Sequence, residues 1–438
     1  MATIRDDLIF AAIQKAFALN NYNKNLDEQY KFMQRTILKD KSLTKNEKLE
    51  AIKKLNKNHD IDKIRYNEGR KRICKNCKME HLATLYCEFC ISNYLKSKFS
   101  NWTSGNNVID DLIQKCQMES LVPNKVVEWI PYNNLQNIKY LTEGGFSKIY
   151  TADWIDGQYF EWDSTNQRLK RRGTVNVILK KLENVLSANI NWFNEAKSHL
   201  IINNKWSEIV PCYGLTQDPS NGNYMLVMRK LDANLREYLY QNQGKLTWKE
   251  KIKITADIID ALNRIHKENH IGKEYTKASD MYSIAMIMWE ISSGQPPFAN
   301  YENDYDLAMD IVNGKRPKII PGTPLIYKEL MEKCWDANPT NRYDINTLLC
   351  KFDDINKLFY QSKPNNDKNI FSKFLKKFRK SNKPNSTEIK SYYTYTSSKL
   401  FTSKIYQFDN LSETEAFHSK PYSFNIPENI DDFNNKKS

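Results

Sequence analysis

Cys74-Lys-Asn-Cys77 and Cys87-Glu-Phe-Cys90 are the residues of this chain with the plainest chemistry. Each C-x2-C step bends the backbone so that two thiolates face one ion, and two steps complete the soft tetrahedron that zinc prefers. A closed four-thiolate set leaves no position for water, so the predicted role is structural. Unliganded core cysteines are the alternative, and His81, between the pairs, is a reserve ligand. Cys116, Cys212, Cys334 and Cys350 stand alone and read as core residues. A second candidate is the pair Gly144-Gly145, between two strand-like runs. A backbone without Cβ atoms at such a turn can approach phosphates and aim amides at them. Val177-Ile-Leu-Lys180 follows as a β-rich run ending in lysine, then a helix with Trp192, Phe193, Glu195 and His199.

Those side chains need elements to hold them. At 438 residues the chain is long enough for two cores. Its 40% hydrophobic and 12% aromatic content excludes a wholly disordered protein. Residues 1–70 read as charged helices folding into a small hairpin, with Leu8, Ile9, Ala12, Ile13, Ala16 and Leu19 on one face. Tyr30, Met33 and Ile37 repeat the spacing, Thr44 and Glu47 form a predicted capping box, and Leu49, Ile52 and Leu55 follow as an apolar side. Residues 71–95 are the cysteine module and 96–135 a connector. From 136 to 355, strand-like runs give way to long helices, an α+β order with a small sheet first and a helical body second. Residues 356–438 read as a disordered basic tail, with one basic amphipathic patch from Phe371 to Phe378.

The start, Met-Ala-Thr-Ile-Arg-Asp-Asp, puts charges where a signal peptide needs an apolar run. No stretch approaches the roughly eighteen apolar residues of a membrane span. Eight cysteines in a long chain read as reduced thiols or metal ligands, so a cytoplasmic or nuclear home is expected. The net charge of +14 favours acidic partners, although the lysines are scattered as on a solvated surface.

The run Ile138-Lys-Tyr-Leu-Thr142-Glu-Gly144-Gly145-Phe-Ser147-Lys-Ile149-Tyr150, with Lys180 and Glu195 after it, resembles the protein kinase family, and most its tyrosine-kinase-like group. The resemblance implies a two-lobed α+β fold and ATP as ligand. It puts Thr142, Gly144 and Ser147 at the three glycine positions of the nucleotide loop, Gly145 beside them, and Ile149 over the adenine. Lys180 would hold the α- and β-phosphates, Glu195 would pair with it from the next helix, and Met228 of Tyr224-Met-Leu-Val-Met228 takes the gatekeeper position. Thr142 in place of glycine stiffens the loop and weakens nucleotide binding. Leu235–Leu239, the helix capped by Thr247 and Glu250, Ser279-Asp280 with its apolar helix, Gly294-Gln-Pro-Pro-Phe298, Cys334-Trp335, Asn338-Pro339 and Arg342 continue the family's order.

One stretch of that order is missing. His266-Lys-Glu-Asn-His270-Ile271 should lead into H-R-D-L-x-x-x-N, yet Gly272-Lys-Glu-Tyr-Thr-Lys-Ala278 follows, which resembles the segment after A-P-E. The catalytic loop, D-F-G and A-P-E have no counterpart. No aspartate is left to accept the substrate hydroxyl's proton, and no asparagine or aspartate to hold magnesium. No residue is therefore assigned a catalytic role, and His266 reads as structural. A skipped coding segment and an evolved deletion leave the same trace. The resemblance further implies that Asp280 and Arg342 have lost their partners, and that Tyr282, Ile284, Met286 and Trp289 lose cover. Three functions are in view: a kinase relative with residual ATP binding and impaired transfer, a pseudokinase scaffold for protein partners in signalling, and a zinc-containing nucleic-acid binder using Lys71, Arg72, Lys75 and Lys78.

Overall fold

A computed structural model of the protein describes residues 4–120, 122–144, 147–182, 191–206, 209–268, 276–299, 301 and 305–361. The tail patch at Phe371–Phe378 lies outside them. The chain divides into two compact units, Met1–Leu231 and Asp232–Ser438.

The first unit opens with three helices, α1 (Asp6–Ala18), α2 (Leu26–Leu38) and α3 (Lys45–Tyr66). Asn25 caps α2, and Thr44 and Glu47 form the reciprocal capping box of α3. Ile9, Ala12, Ile13, Ala16, Met33, Ile37, Leu43, Ala51 and Leu55 close one core, so three helices stand where a hairpin was expected. Leu49 is 55% exposed. The buried stripe of α3 runs Glu47, Ala51, Leu55 at steps of four, which puts position 49 on the far side of the helix.

The cysteine module follows as β1 (Arg72–Ile73), β2 (Glu80–His81) and α4 (Glu88–Lys96). Lys63 of α3 ties the bundle to it. Its ammonium is buried against Asp60 at 2.7 Å and donates to Leu82 O and Thr84 Oγ1 at 2.8 and 2.7 Å. Then come α5 (Asn107–Met118), β3 (Glu128–Trp129), β4 (Leu135–Gly144), β5 (Ser147–Trp154), β6 (Tyr159–Asp163), β7 (Arg168–Arg171), β8 (Val175–Lys181), α6 (Asn191–Lys205), β9 (Cys212–Gln217) and β10 (Tyr224–Arg229). Six strands make one sheet in the order β3-β9-β10-β8-β5-β4, and β6 and β7 form a separate hairpin between β5 and β8. Only β3 joins in parallel, opposite Gly214, whose φ is +149°. A Cβ there would sit 1.8 Å from Glu128 O, so the approach of β3 requires glycine.

The second unit is helical: α7 (Leu235–Gln241), α8 (Trp248–Lys267), α9 (Lys277–Ser293), α10 (Tyr305–Val312), α11 (Leu325–Cys334) and α12 (Ile345–Gln361), the last running past residue 355. Thr247 and Glu250 box the start of α8, and Thr276 caps α9. Helices α8, α9, α11 and α12 share one core of Ile252, Ile259, Ile284, Met288, Tyr327, Met331, Leu348 and Phe352 among others. Cover for α9 is therefore not lost. Ile284 and Trp289 are buried, and Tyr282 and Met286 pack against the same cluster, because α8 and α11 pack against α9 and α12 completes the core. Tyr327 Oη adds polar fastening, donating to Met288 O at 3.0 Å and lying 2.9 Å from Thr255 Oγ1. Asp280 lies 2.8 Å from His266 Nε2, and Arg342 donates to Ala278 O and Asp336 O. Cys116, Cys212 and Cys334 are buried, whereas Cys350 is exposed on the outer face of α12 and is no core residue.

Candidate functional site

Strand register lines up the residues singled out for nucleotide contact. In the β4–β5 hairpin Thr142 stands opposite Ile149 and Gly144 opposite Ser147, with Gly145 outside the described residues. Ile149 stands opposite Lys180 in β8, and Lys180 opposite Leu226 in β10. Directly opposed residues share a face, so Thr142, Ile149, Lys180 and Leu226 run across one side of the sheet. Met228 lies two residues along β10, opposite Ile178 and beside the cluster under α6.

Glu195 comes to that face from α6. Its neighbour Ala196 and Leu200 one turn on are fully buried against Leu182, Leu215 and Leu226. Trp192 stacks on Tyr224 with ring centroids 5.0 Å apart. These contacts fix the helix's rotation, and Lys180 Nζ meets Glu195 Oε1 at 2.5 Å. Both side chains keep about a third of their exposure (28% and 39%). A pair so exposed contributes only about 0–1 kcal/mol. Its value is positional: it holds a three-donor ammonium at the sheet face, where phosphate oxygens can accept from it. Burial, and then the Lys180 charge, lowers the pKa of His199, one turn beyond, so its imidazole stays neutral.

The residues that back α6 were missed, because the region before 135 read as a connector. Ile109, Leu112, Ile113 and Cys116 of α5 are buried in the same cluster as Ala196 and Leu200. Their spacing after the Asn106 cap is itself an amphipathic-helix signal. At the C-terminal end of α6, Arg65 donates to Lys205 O and lies 4.3 Å over the Trp206 ring. Lys125 donates to Trp206 O at 3.0 Å. Cations on the last carbonyls of a helix complement its dipole.

The four cysteines come together. Their Sγ atoms all lie within 4.8 Å of one another, with Cys74···Cys90 at 3.7 Å and Cys77···Cys87 at 3.6 Å. A zinc ion bonded at about 2.3 Å to four sulfurs places them about 3.8 Å apart, so the set fits one tetrahedral ion. The first pair sits in the β1–β2 turn, where Lys78 N donates to Cys74 O at 3.0 Å and Lys78 takes a left-handed φ of 64°. The second pair opens α4, with Cys87 as its N-cap and Cys90 in its first turn, where free amides favour thiolate. Burial alone would raise Cys74, but the Cys77 and Asn76 amides and the Cys90 and Cys87 thiols outweigh it and bring it to about 7. Burial pushes Cys87 and Cys90 up. His81 stands apart from this group, its Nδ1 3.9 Å from Glu88 Oε2. Trp162 and Leu169 of the β6–β7 hairpin share the cluster around Cys87 and Cys90, and Asn76 donates to Gln167 at 2.7 Å.

Comparison with known proteins agrees with this architecture. The family model described as protein tyrosine and serine/threonine kinase matches residues 135–274 and 267–352. The two matched blocks meet at the point where α8 ends. Similar curated proteins include a dual specificity protein kinase, zak2, of Dictyostelium discoideum, 34% identical over 102 residues, which are 22% of this chain and 16% of the relative. Mitogen-activated protein kinase kinase kinase 7 of Drosophila melanogaster is 34% identical over 71 residues, 16% of this chain and 10% of the relative. Serine/threonine-protein kinase VIK of Arabidopsis thaliana is 37% identical over 84 residues, 19% of each chain. The chain thus spans less than a fifth of the length of each of these relatives. A sheet unit presenting a Lys–Glu pair, followed by a helical unit, is the fold of a protein kinase domain. Over residues 135–352, about half its length, the chain belongs to the protein kinase family.

Proposed function

We propose that residues 135–352 form a nucleotide-binding kinase domain that does not transfer phosphate, with signalling through bound protein partners as its output. The observation that carries the reading is the assembled Lys180–Glu195 pair at 2.5 Å, in a chain with no H-R-D or D-F-G sequence. In this reading Lys180 holds the α- and β-phosphates of ATP, Ile149 and Met228 line the adenine side, and the backbone from Thr142 through Gly144 and Gly145 to Ser147 covers the phosphates. Phosphoryl transfer consists of positioning and charge neutralisation by a catalytic aspartate and magnesium ligands. The residues present do not supply that set. Parent-family chemistry would be phosphorylation of Ser, Thr or Tyr.

The cysteines Cys74, Cys77, Cys87 and Cys90 hold one structural zinc in the same reading, and the ion fixes α4 against the β6–β7 hairpin. No helix among the described residues is long and apolar enough to cross a membrane. A protein scaffold is favoured over a nucleic-acid binder, because Lys71 faces Glu80 at 3.7 Å and Lys78 Nζ donates to Lys75 O at 2.7 Å.

Titration of the full chain with a fluorescent ATP analogue, beside Lys180→Met and a radiolabelled phosphate-transfer assay, tests the reading. Saturable binding weakened in the variant, with no transfer in either protein, is expected. Transfer that disappears in Lys180→Met overturns the impaired-enzyme part, and absence of binding overturns the nucleotide part.

A further inference from the structure

The four cysteines differ in how far each sulfur is covered. Cys87 and Cys90 are buried, at 6% and 5% exposure, in one cluster with Trp162 and Leu169 of the β6–β7 hairpin. Cys77, in the β1–β2 turn, is only half-buried. Cys74 in the same turn has its sulfur engaged, accepting from the Asn76 and Cys77 amides. Its nearby partner Cys90, 3.7 Å away, is engaged as well. Asn76 Nδ2 donates to Cys90 Sγ at 3.6 Å and to Gln167 Oε1 at 2.7 Å, which ties that pair to the hairpin.

With four thiolates gathered on one ion, access and not ionisation decides which sulfur meets an oxidant first. Hydrogen bonds draw on the lone pairs of Cys74, and packing covers Cys87 and Cys90, which leaves Cys77 open to a small electrophile. Cys87 Sγ stands 3.6 Å from it. A disulfide needs the sulfurs about 2.05 Å apart, a closure within reach of side-chain rotation. The bond would join the β1–β2 turn to the N-cap of α4, the two elements that the ion joins.

We propose that Cys77 and Cys87 are a redox pair: a hydroperoxide oxidises Cys77, and Cys87 closes a disulfide on it. The Cys77 thiolate attacks the peroxide, so that an S–O bond forms and the O–O bond breaks. The leaving alkoxide or hydroxide takes a proton from water. Sulfur loses two electrons to the peroxide and becomes a sulfenic acid. The Cys87 thiolate then attacks that sulfur and expels hydroxide, which is protonated in turn. Two thiolates, one hydroperoxide and two protons thus give one disulfide, one alcohol (or water) and one water. The site keeps only Cys74 and Cys90 as thiolate ligands, too few to close a tetrahedron, and gives up its ion. Release of the ion rests on the zinc reading above; the disulfide does not. Oxidised in this way, the module exchanges a metal staple for a covalent one.

Hydrogen peroxide added to the zinc-loaded full chain tests this, with zinc release read by a chromogenic chelator and the cross-link by non-reducing peptide mapping. Zinc should leave in step with a Cys77–Cys87 disulfide, and dithiothreitol with added zinc should restore both. Cys77→His keeps a zinc ligand at that position but forms no sulfenic acid, so its release should be at least about tenfold slower. Cys74→His should lose zinc at the wild-type rate, again with the Cys77–Cys87 cross-link. Disulfides confined to Cys74–Cys77 or Cys87–Cys90, a Cys74–Cys90 bond formed first, or equal sensitivity of the two histidine variants overturns the pair. Where a histidine variant takes up no zinc, the wild-type map alone decides. A chain purified without metal refutes the zinc reading instead, and the map of its first cross-link still decides the pair.

Discussion

Replacing Ile113 by alanine should loosen the helix that carries Glu195, although Ile113 lies well before the segment matched by the kinase family. Ile113 is fully buried, in one cluster with Ala196 and Leu200 of α6 and Leu182 at the end of β8. Removing its side chain takes away three carbons' worth of transfer energy and leaves a cavity between α5 and α6. Such changes cost about 2–5 kcal/mol, against a total stability of about 5–15 kcal/mol. For a unit of this size each kcal/mol moves the melting midpoint by about 2–4 °C, so a loss near 3 kcal/mol predicts a fall of about 6–12 °C. Hydrogen exchange should quicken in the amides of α6 before those of β8 and β10, because the strands keep their ladder bonds. Apparent nucleotide affinity should weaken several-fold, in proportion to the fraction of chains with Glu195 out of place. Ile13→Ala is the companion variant: its cluster is confined to α1–α3, so it should lower the midpoint and leave α6 exchange and nucleotide affinity alone. Equal effects of Ile13→Ala and Ile113→Ala on α6 exchange would refute a direct role for α5, as would a midpoint unmoved by Ile113→Ala.

Three further outcomes follow from the same geometry. Metal analysis of the purified chain should find one zinc per molecule, and Cys87→Ser should lower that content and expose Trp162 to quenchers; a metal-free wild-type chain contradicts the four-thiolate reading. Asp353 on α12 has its pKa raised from 3.8 to about 6, mainly by burial. A carboxyl raised on folding costs stability as pH climbs from about 4 to about 6, and the cost is complete above that. Asp353→Asn should therefore raise the midpoint at pH 7 and not at pH 4, and the reverse order in thermal melts sinks the assignment. A fragment starting at residue 135 should aggregate or melt without cooperativity. It lacks Ile109, Leu112, Ile113 and Cys116, whose burial contributes roughly 1.5–3 kcal/mol for each large side chain, and a sharp melt at the full chain's midpoint would argue against that.

Local signals in the sequence carried the elements that hold the functional side chains. The Thr44/Glu47 and Thr247/Glu250 boxes, the cysteine pairs, and the β-rich run to Lys180 each depend on a few adjacent residues, and each element forms. What escaped depends on partners distant in sequence. Leu49 has the right spacing from Ile52, yet which face of α3 is buried is decided by α1 and α2. Cys350 looks like any core cysteine until α12 turns it outward. The expected exposure of α9 assumed that its family partners were its only cover, whereas α8 and α11 pack against it directly and α12 completes the same core.

The same limit explains why the support of Glu195 was invisible. A kinase-like motif set names Lys180 and Glu195 but says nothing of what holds the helix between them and the rest of the fold. Here that task falls to side chains upstream of the matched segment: α5 along the flank of α6, and Arg65 and Lys125 at its last carbonyls. Lys63 joins the bundle bearing Arg65 to the backbone beside the cysteine module, and Asn76 of that module reaches the β6–β7 hairpin. In the proposed reading, loss of zinc from Cys74, Cys77, Cys87 and Cys90 therefore has a continuous path of packed groups to α6. Population of the paired Lys180–Glu195 arrangement is then a property of the whole unit Met1–Leu231, and chelation should shift it even though no cysteine touches either residue.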